Sequence, residues 1–228
     1  MQISRGHALV LVTTVAAAAL SVWLGLVQAQ GSNHWGSKSK DCSMSNKRAA
    51  YLLKLWDGHV ATEFTEKSAD AAVATMVPEA TVNHVPVITG GAGKEALRAF
   101  YRDNFISKMP GDVSLVPLER TVGKDANGVE TVVDEFIFKF THSIKMDWML
   151  PGIEPTGKQV SVPFIVVVKF KGDKLSAERI YWDQATVLRQ IGVLQPTTPA
   201  TTGGDQAKKM ADFGSVPSNG LINAAAQG

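Results

Sequence analysis

The chain has 228 residues, 45% of them hydrophobic and 19% charged, with 23 Lys and Arg against 21 Asp and Glu for a net charge of +2. This composition suits one globular domain with extra material at its ends, and the interspersed charges build no basic face, so no nucleic-acid partner is expected. Cys42 is the single cysteine, which rules out an internal disulfide and a cysteine-based metal cluster.

Arg5 and His7 precede residues 8–29, a stretch without charge that ends in Val27-Gln28-Ala29. This is the pattern of a secretory signal peptide. Its apolar part is long enough to serve as an uncleaved membrane anchor instead, and a start of translation at Met44 is the third option. The expected location follows the same split: secreted, membrane-anchored, or cytoplasmic if synthesis begins at Met44. Residues 30–44 are polar and rich in Gly and Ser, and read as a linker.

A helix is predicted over 47–65, where Leu52, Trp56, Val60 and Phe64 recur every four residues. Ser68 can cap a short second helix over 69–77, closed by Pro78. An extended piece over 81–88 carries Asn83 and His84. A glycine-rich turn over 89–95 leads into a third helix with Leu97, Phe100, Tyr101 and Phe105 on its buried stripe. From Asp112 the hydrophobic period changes from about 3.6 to 2. Strands are predicted over 113–122, 129–149, 159–171 and 175–182, with an Asn127-Gly128 hairpin signal and a Gly172-Asp173 turn. Even positions of the long second strand, among them Asp134, Phe136, Phe138, Phe140, His142 and Trp148, face inward. A helix with Val187, Leu188, Ile191 and Leu194 on one side follows. Residues 196–206 form a Pro/Thr/Gly linker, and 207–228 a tail too poor in apolar residues to be a domain. The sum is an α+β domain over 45–195: a cone-shaped, curved antiparallel sheet of four to six strands packed against three N-terminal helices, with a pocket in its mouth.

Four stretches carry a family likeness: KRAAYLLKLW at 47–56, NHVPVITGGAGKEALRAFY at 83–101, FTHSIKMDWMLPGIEPTGK at 140–158 and IYWDQATVLRQIG at 180–192. Together they resemble the SnoaL-like polyketide cyclases of the nuclear transport factor 2-like superfamily. The resemblance covers roughly 45–195. It implies the cone fold strongly and a particular reaction weakly, because this superfamily places cyclases, isomerases, dehydratases, epoxide hydrolases and binders on one scaffold. A homodimer through the sheet is the default that it suggests.

In cyclases of the family an aspartate moves protons on an enolisable carbonyl compound without metal or cofactor. The motif match gives that role to Asp183. A carboxyl beside Tyr181 and Trp182 would lose water and rise in pKa, which suits a proton shuttle. His142, with His84 second, would donate to the developing enolate. Trp56, His59, Tyr101, Phe140, Trp148, Phe164, Tyr181 and Trp182 would line the substrate pocket, suited to a small, flat, hydrophobic ring compound. No cofactor and no metal site are expected. Asp183 directly before an amphipathic run is equally a helix N-cap, and parity places Glu178, Ile180 and Trp182 on one strand face and Arg179, Tyr181 and Asp183 on the other. Two readings therefore stand: a cofactor-independent lyase or isomerase of the polyketide-cyclase type, and a non-catalytic ligand-binding or dimerisation module. An epoxide hydrolase with an Asp–Arg–Asp set is a third, to which Arg179 and Asp183 would contribute.

Overall fold

The computed structural model describes residues 44–197 and 200–225. The leader, the polar linker and Cys42 lie outside the described residues. Helix α1 (Asn46–Phe64) starts where Ser45 accepts a hydrogen bond from the Arg48 amide, the usual way an orphan N–H is satisfied at a helix start. It buries Leu52, Trp56, His59, Thr62 and Glu63. Two of those five are acid or imidazole, an unusual content for a core face. Helix α2 (Ala69–Ala74) is capped by Ser68 as the sequence suggests, but it stops at Ala74. Pro78 falls inside a strand, β1 (Met76–His84), at a register shift between Met76 and Thr81. A bulge tolerates the N–H that proline lacks.

The glycine-rich turn is itself a strand, β2 (Thr89–Ala92), paired antiparallel to β1. Gly90 has φ +132°, and a Cβ there would collide with the Val82 carbonyl. Only glycine lets the two strands approach so closely. Helix α3 (Lys94–Phe100) continues into a π-helical turn at Tyr101–Phe105 and a 3-10 turn at Ile106–Lys108. The wider turn is what places Tyr101 and Phe105, both buried, over the sheet.

Strands β3 (Ser114–Lys124), β4 (Glu130–Thr141), β5 (Gln159–Lys171) and β6 (Lys174–Trp182) form the expected meander. The sheet has six strands in the order β2-β1-β6-β5-β4-β3. Every neighbouring pair is antiparallel except β1 with β6, which is parallel. The sheet is therefore mixed rather than purely antiparallel. β4 ends at Thr141, short of the 129–149 expectation, and His142 to Lys158 form an irregular crossing held by the buried Met146, Trp148, Met149 and Leu150. Register shifts in β1, in β3 between Pro117 and Glu119, and in β5 between Lys169 and Phe170 bend the sheet. The inward face then wraps round the helices and leaves a hollow between the layers.

Helix α4 (Gln184–Gln190) follows β6 directly. The tail is ordered further than composition suggests: α5 (Asp205–Ala211) packs on β5, and α6 spans Gly220–Ala225. Arg189 donates to Thr201, and Gln206 donates to Asp183 at 2.6 Å, which ties the tail to the domain. Among the described residues, no helix is long and apolar enough to cross a membrane.

Candidate active site

The hollow is a cavity of about 240 Å³. Ligand sites for drug-sized molecules run to roughly 300–1,000 Å³, so its occupant is small. Rings dominate the wall: Trp56, Tyr101, Phe105, Phe138, Trp148 and Phe164. Phe138 stacks on Phe164 with centroids 4.9 Å apart, and Phe105 meets Trp148 edge-on at 4.9 Å. The polar groups in the wall are Glu63, His84, Tyr101, Arg120, Asp134 and Glu178.

One end of the cavity holds a buried cluster. His59 and Glu63 are four residues apart on α1, so they share a helix face. Glu178 points in from β6, on the face that also buries Ile180 and Trp182. The Nε2 of His59 lies 3.2 Å from Glu63 Oε1 and 3.2 Å from Glu178 Oε1. The Tyr101 hydroxyl stands 3.4 Å from Glu178 Oε1 and 3.5 Å from His59 Nε2. Behind the ring, the Thr75 hydroxyl donates to the Ala72 carbonyl at 2.7 Å, so at 2.6 Å it can only accept from His59 Nδ1. That contact fixes a proton on Nδ1 and leaves Nε2 as the exchangeable position. Trp56 stacks on the imidazole with centroids 5.7 Å apart and 19° between planes, and its own N–H donates to Asp134 Oδ2 at 2.7 Å.

Charge decides the protonation of this cluster. Burial alone would lower the His59 pKa, but the carboxylates of Glu178 and Glu63 outweigh it and raise it to about 10. Burial lifts Glu63 above the usual carboxylate range, partly offset by His59. The Tyr101 phenol is pushed well above its ordinary value by burial and by both glutamates, so it remains a donor. The nitrogen and carboxylate oxygens of His59, Glu63 and Glu178 lie within 4.8 Å of one another, a span that a divalent cation could bridge. The 3.2 Å separations are equally those of hydrogen bonds, and a proton on the imidazole meets the same electrostatic need.

Asp183 does not join this cluster. Its side chain accepts from the Thr186 amide at 3.1 Å, from the Thr186 hydroxyl at 2.9 Å and from Gln206 at 2.6 Å. Burial opposes these hydrogen bonds and loses, so its pKa is lowered rather than raised. It lies with Tyr181 and Trp182 along a separate groove under α5. Strand parity is the reason: Glu178 faces in, and Asp183 falls on the opposite face with the 40%-exposed Tyr181. Asp183→Ala is expected to cost about 1 kcal/mol through the lost cap, read by urea denaturation, with the cavity unchanged.

His142 is buried beside Thr156, whose amide donates to its Nδ1 at 3.4 Å; its Nε2 has no hydrogen-bond partner among the described residues, and it does not line the cavity. Phe140 packs against Phe138 outside the cavity wall. Trp182 backs the wall by stacking on Phe164, with centroids 5.0 Å apart. Of the sequence-derived set, Trp56, His84, Tyr101, Trp148 and Phe164 line the cavity, and His59 sits directly behind it. Glu63, Glu178, Arg120 and Thr75 escaped the sequence reading. For Glu178 the signal was present, because parity already put it beside Trp182.

His84 lines the wall among the rings of Phe100, Phe105, Trp148 and Trp182, at centroid distances of 5.2–5.9 Å. Burial lowers its pKa to about 4, so it is neutral near pH 7. Its Nδ1 is 3.2 Å from the Thr89 carbonyl, an acceptor, so Nδ1 carries the proton. A neutral imidazole held this way cannot donate from Nε2. That corrects the expectation of His84 as an enolate donor. Arg120 bridges Asp134 at 3.0 Å and Asp57 at 2.6 Å between the sheet and α1. Arg179 and Asp183, the pair weighed for an epoxide hydrolase, face away from the cavity.

A curved six-stranded sheet closed by helices over a small ring-walled cavity, with buried ionisable groups at one end, is the cone that the family resemblance implied. The model of the SnoaL-like polyketide cyclases matches residues 59–191, and the chain belongs to that family. Among solved structures, TsrD from Streptomyces laurentii is similar at 20% identity and TM-score 0.50, over 67% of this chain and 100% of that one. A Jannaschia protein assigned to the SnoaL-like polyketide cyclases is similar at 18% identity and TM-score 0.50, over 67% and 99% of the two chains. A nuclear transport factor 2-like protein from Burkholderia pseudomallei is similar at 15% identity and TM-score 0.47, over 65% and 99%. At these identities the likeness is one of fold. No curated protein matches the chain.

Proposed function

We propose that the chain is a cyclase or isomerase that moves a proton on a small, largely apolar carbonyl compound, using the His59–Glu63–Glu178–Tyr101 cluster in place of Asp183. The observation that carries this reading is the pair of 3.2 Å approaches of His59 Nε2 to two buried carboxylates, with the Tyr101 hydroxyl beside them, at the wall of an apolar cavity. Glu178 takes the proton from the carbon next to the carbonyl. The C–H electron pair becomes the enolate double bond, and the carbonyl π pair moves to oxygen, where the Tyr101 hydroxyl donates. Return of the proton, to carbon at a new position or to an oxygen after ring closure, leaves the enzyme unchanged. His59 does not line the cavity; as an imidazolium it places a positive charge 3.2 Å from Glu178 Oε1 where water is scarce. A pure binding wall gains nothing from three ionisable groups, whose burial is costly beside an apolar filling of the same volume. The test is solvent-deuterium incorporation into a panel of cyclic ketones and enolisable lactones. Incorporation dependent on Glu178 is expected. No incorporation into any member, with binding intact, would favour the ligand-binding reading.

A second reading has its own observation. Arg120 is braced between Asp134 and Asp57, and Asp134 and Arg120 both line the cavity. Such a set can orient a water for attack on an electrophilic carbon. Asp57 is 57% exposed and outside the wall, and the Asp134 oxygens already accept from Arg120 and Trp56. This arrangement serves structure first.

A further inference from the structure

The polar end of the cavity does not explain His84, which stands apart among the rings. Its Nδ1–H is committed to the Thr89 carbonyl at 3.2 Å. Thr89 is itself held, because its hydroxyl donates to the Trp148 carbonyl at 2.6 Å. The imidazole is therefore pinned by backbone on β2, which pairs with His84 across the β1–β2 ladder. Its Nε2 carries a lone pair, no group among the described residues donates to it, and it is not among their fully enclosed unpaired atoms. His84 as a whole is 3% exposed, and its ring belongs to the cavity wall. An acceptor stripped of water by a bound ligand costs free energy unless that ligand supplies a donor. The surrounding rings of Phe100, Phe105, Trp148 and Trp182 bring no hydroxyl or amide within reach of it. The Trp148 indole N–H points to the Lys108 carbonyl at 3.4 Å, and that of Trp182 to Gln184 at 2.6 Å. A ligand that fills this part of the cavity, and so displaces water from Nε2, has to bring the donor itself.

We infer that His84 is the specificity-determining acceptor of the cavity and that it selects a flat, uncharged ring compound bearing a hydroxyl group, whose O–H donates to Nε2. Of the rings around it, Phe105 and Trp148 line the cavity and give faces for a planar ligand to lie against. The guanidinium of Arg120 is already matched by two aspartates, so it calls for no anionic ligand. This rests on the proposed use of the cavity as the substrate site, but it requires binding only, not turnover. A site built around a buried polar partner rejects an isostere that lacks the matching group, because the partner is then left unpaired.

The test compares 2-naphthol with 2-methylnaphthalene, in which a methyl group replaces the hydroxyl, by titration of the intrinsic tryptophan fluorescence. The two ligands differ in their cost of leaving water, so the quantity read is the ratio of their affinities in the wild type against the same ratio in His84→Phe. Removing the acceptor is expected to lower that ratio by roughly tenfold or more, through weaker 2-naphthol binding while 2-methylnaphthalene still binds. Retained 2-methylnaphthalene binding shows that the variant cavity has formed. In the wild type, the nitrogen NMR signal of His84 Nε2 should lie in the unprotonated range and move on adding 2-naphthol. A ratio unchanged within twofold, binding of neither probe, or an Nε2 that carries the proton would overturn the inference. If deuterium exchange fails while the ratio shifts, the acid–base reading falls and this one stands.

Discussion

Replacing Glu178 with Gln is expected to lower deuterium incorporation by roughly 10²–10⁴-fold, the usual worth of a positioned general base, in protein that still folds but melts lower than the wild type, because His59 loses a buried carboxylate. The amide keeps the size of the side chain and can still meet Tyr101, but it cannot accept a proton from carbon. Glu63→Gln is expected to lose less, because burial already biases Glu63 towards its protonated form. Asp183→Asn should retain full exchange, since that carboxyl only caps α4 and meets Gln206. Equal losses in all three variants would indicate general destabilisation, and a silent Glu178→Gln would remove the base assignment.

The largest expected effect on stability comes from His59. His59→Phe fills the same volume but leaves two buried carboxylates, 7% and 4% exposed, without their cation. Breaking a buried pair from one side costs about 3–5 kcal/mol, and the cost should fall as pH drops, because the Glu63 carboxyl, already lifted by burial, then binds a proton. In the wild type the sign of the pH dependence differs between two histidines. The folded-state pKa of His59, about 10, lies above its ordinary value. Its contribution is complete below pH ~6.5 and is lost as pH rises towards 10. The folded-state pKa of His84, about 4, lies below its ordinary value. Its contribution is present above pH ~6.5 and is lost as pH falls towards 4. Denaturation midpoints across pH 4–10, with His59→Phe and His84→Phe beside the wild type, separate the two limbs. Loss of the alkaline limb in His59→Phe and of the acid limb in His84→Phe is the expected result.

The cone was legible in the sequence because its elements bury one face each. The four-residue recurrence along α1 and the alternation along β4 and β6 report burial directly. β2 was not legible, since Thr89-Gly90-Gly91-Ala92 has turn composition and pairs only because Gly90 admits the Val82 carbonyl. The parallel pairing of β1 with β6 joins residues roughly a hundred positions apart, and no local pattern announces it. For the site, the alternation that exposes Tyr181 and Asp183 also turns Glu178 inward, so the carboxylate that reaches the cavity lies five residues upstream of the one that the family motif pointed to. Glu63 was hidden on a helix whose apolar stripe drew attention to Trp56 and Phe64. Its partner Glu178 becomes adjacent only after β6 docks against α1. Ionisable groups that meet across elements leave no spacing in the sequence.

The central claim is that His59 is a buried imidazolium held between Glu63 and Glu178 at the cavity. The measurement that tests it most directly is an NMR titration of the His59 ring in the folded protein. The ring is expected to stay protonated on both nitrogens through pH 8 and to titrate near 10, with a lower midpoint in Glu178→Gln. A His59 that titrates at or below the ordinary histidine pKa of ~6.5, or one indifferent to Glu178, would contradict it.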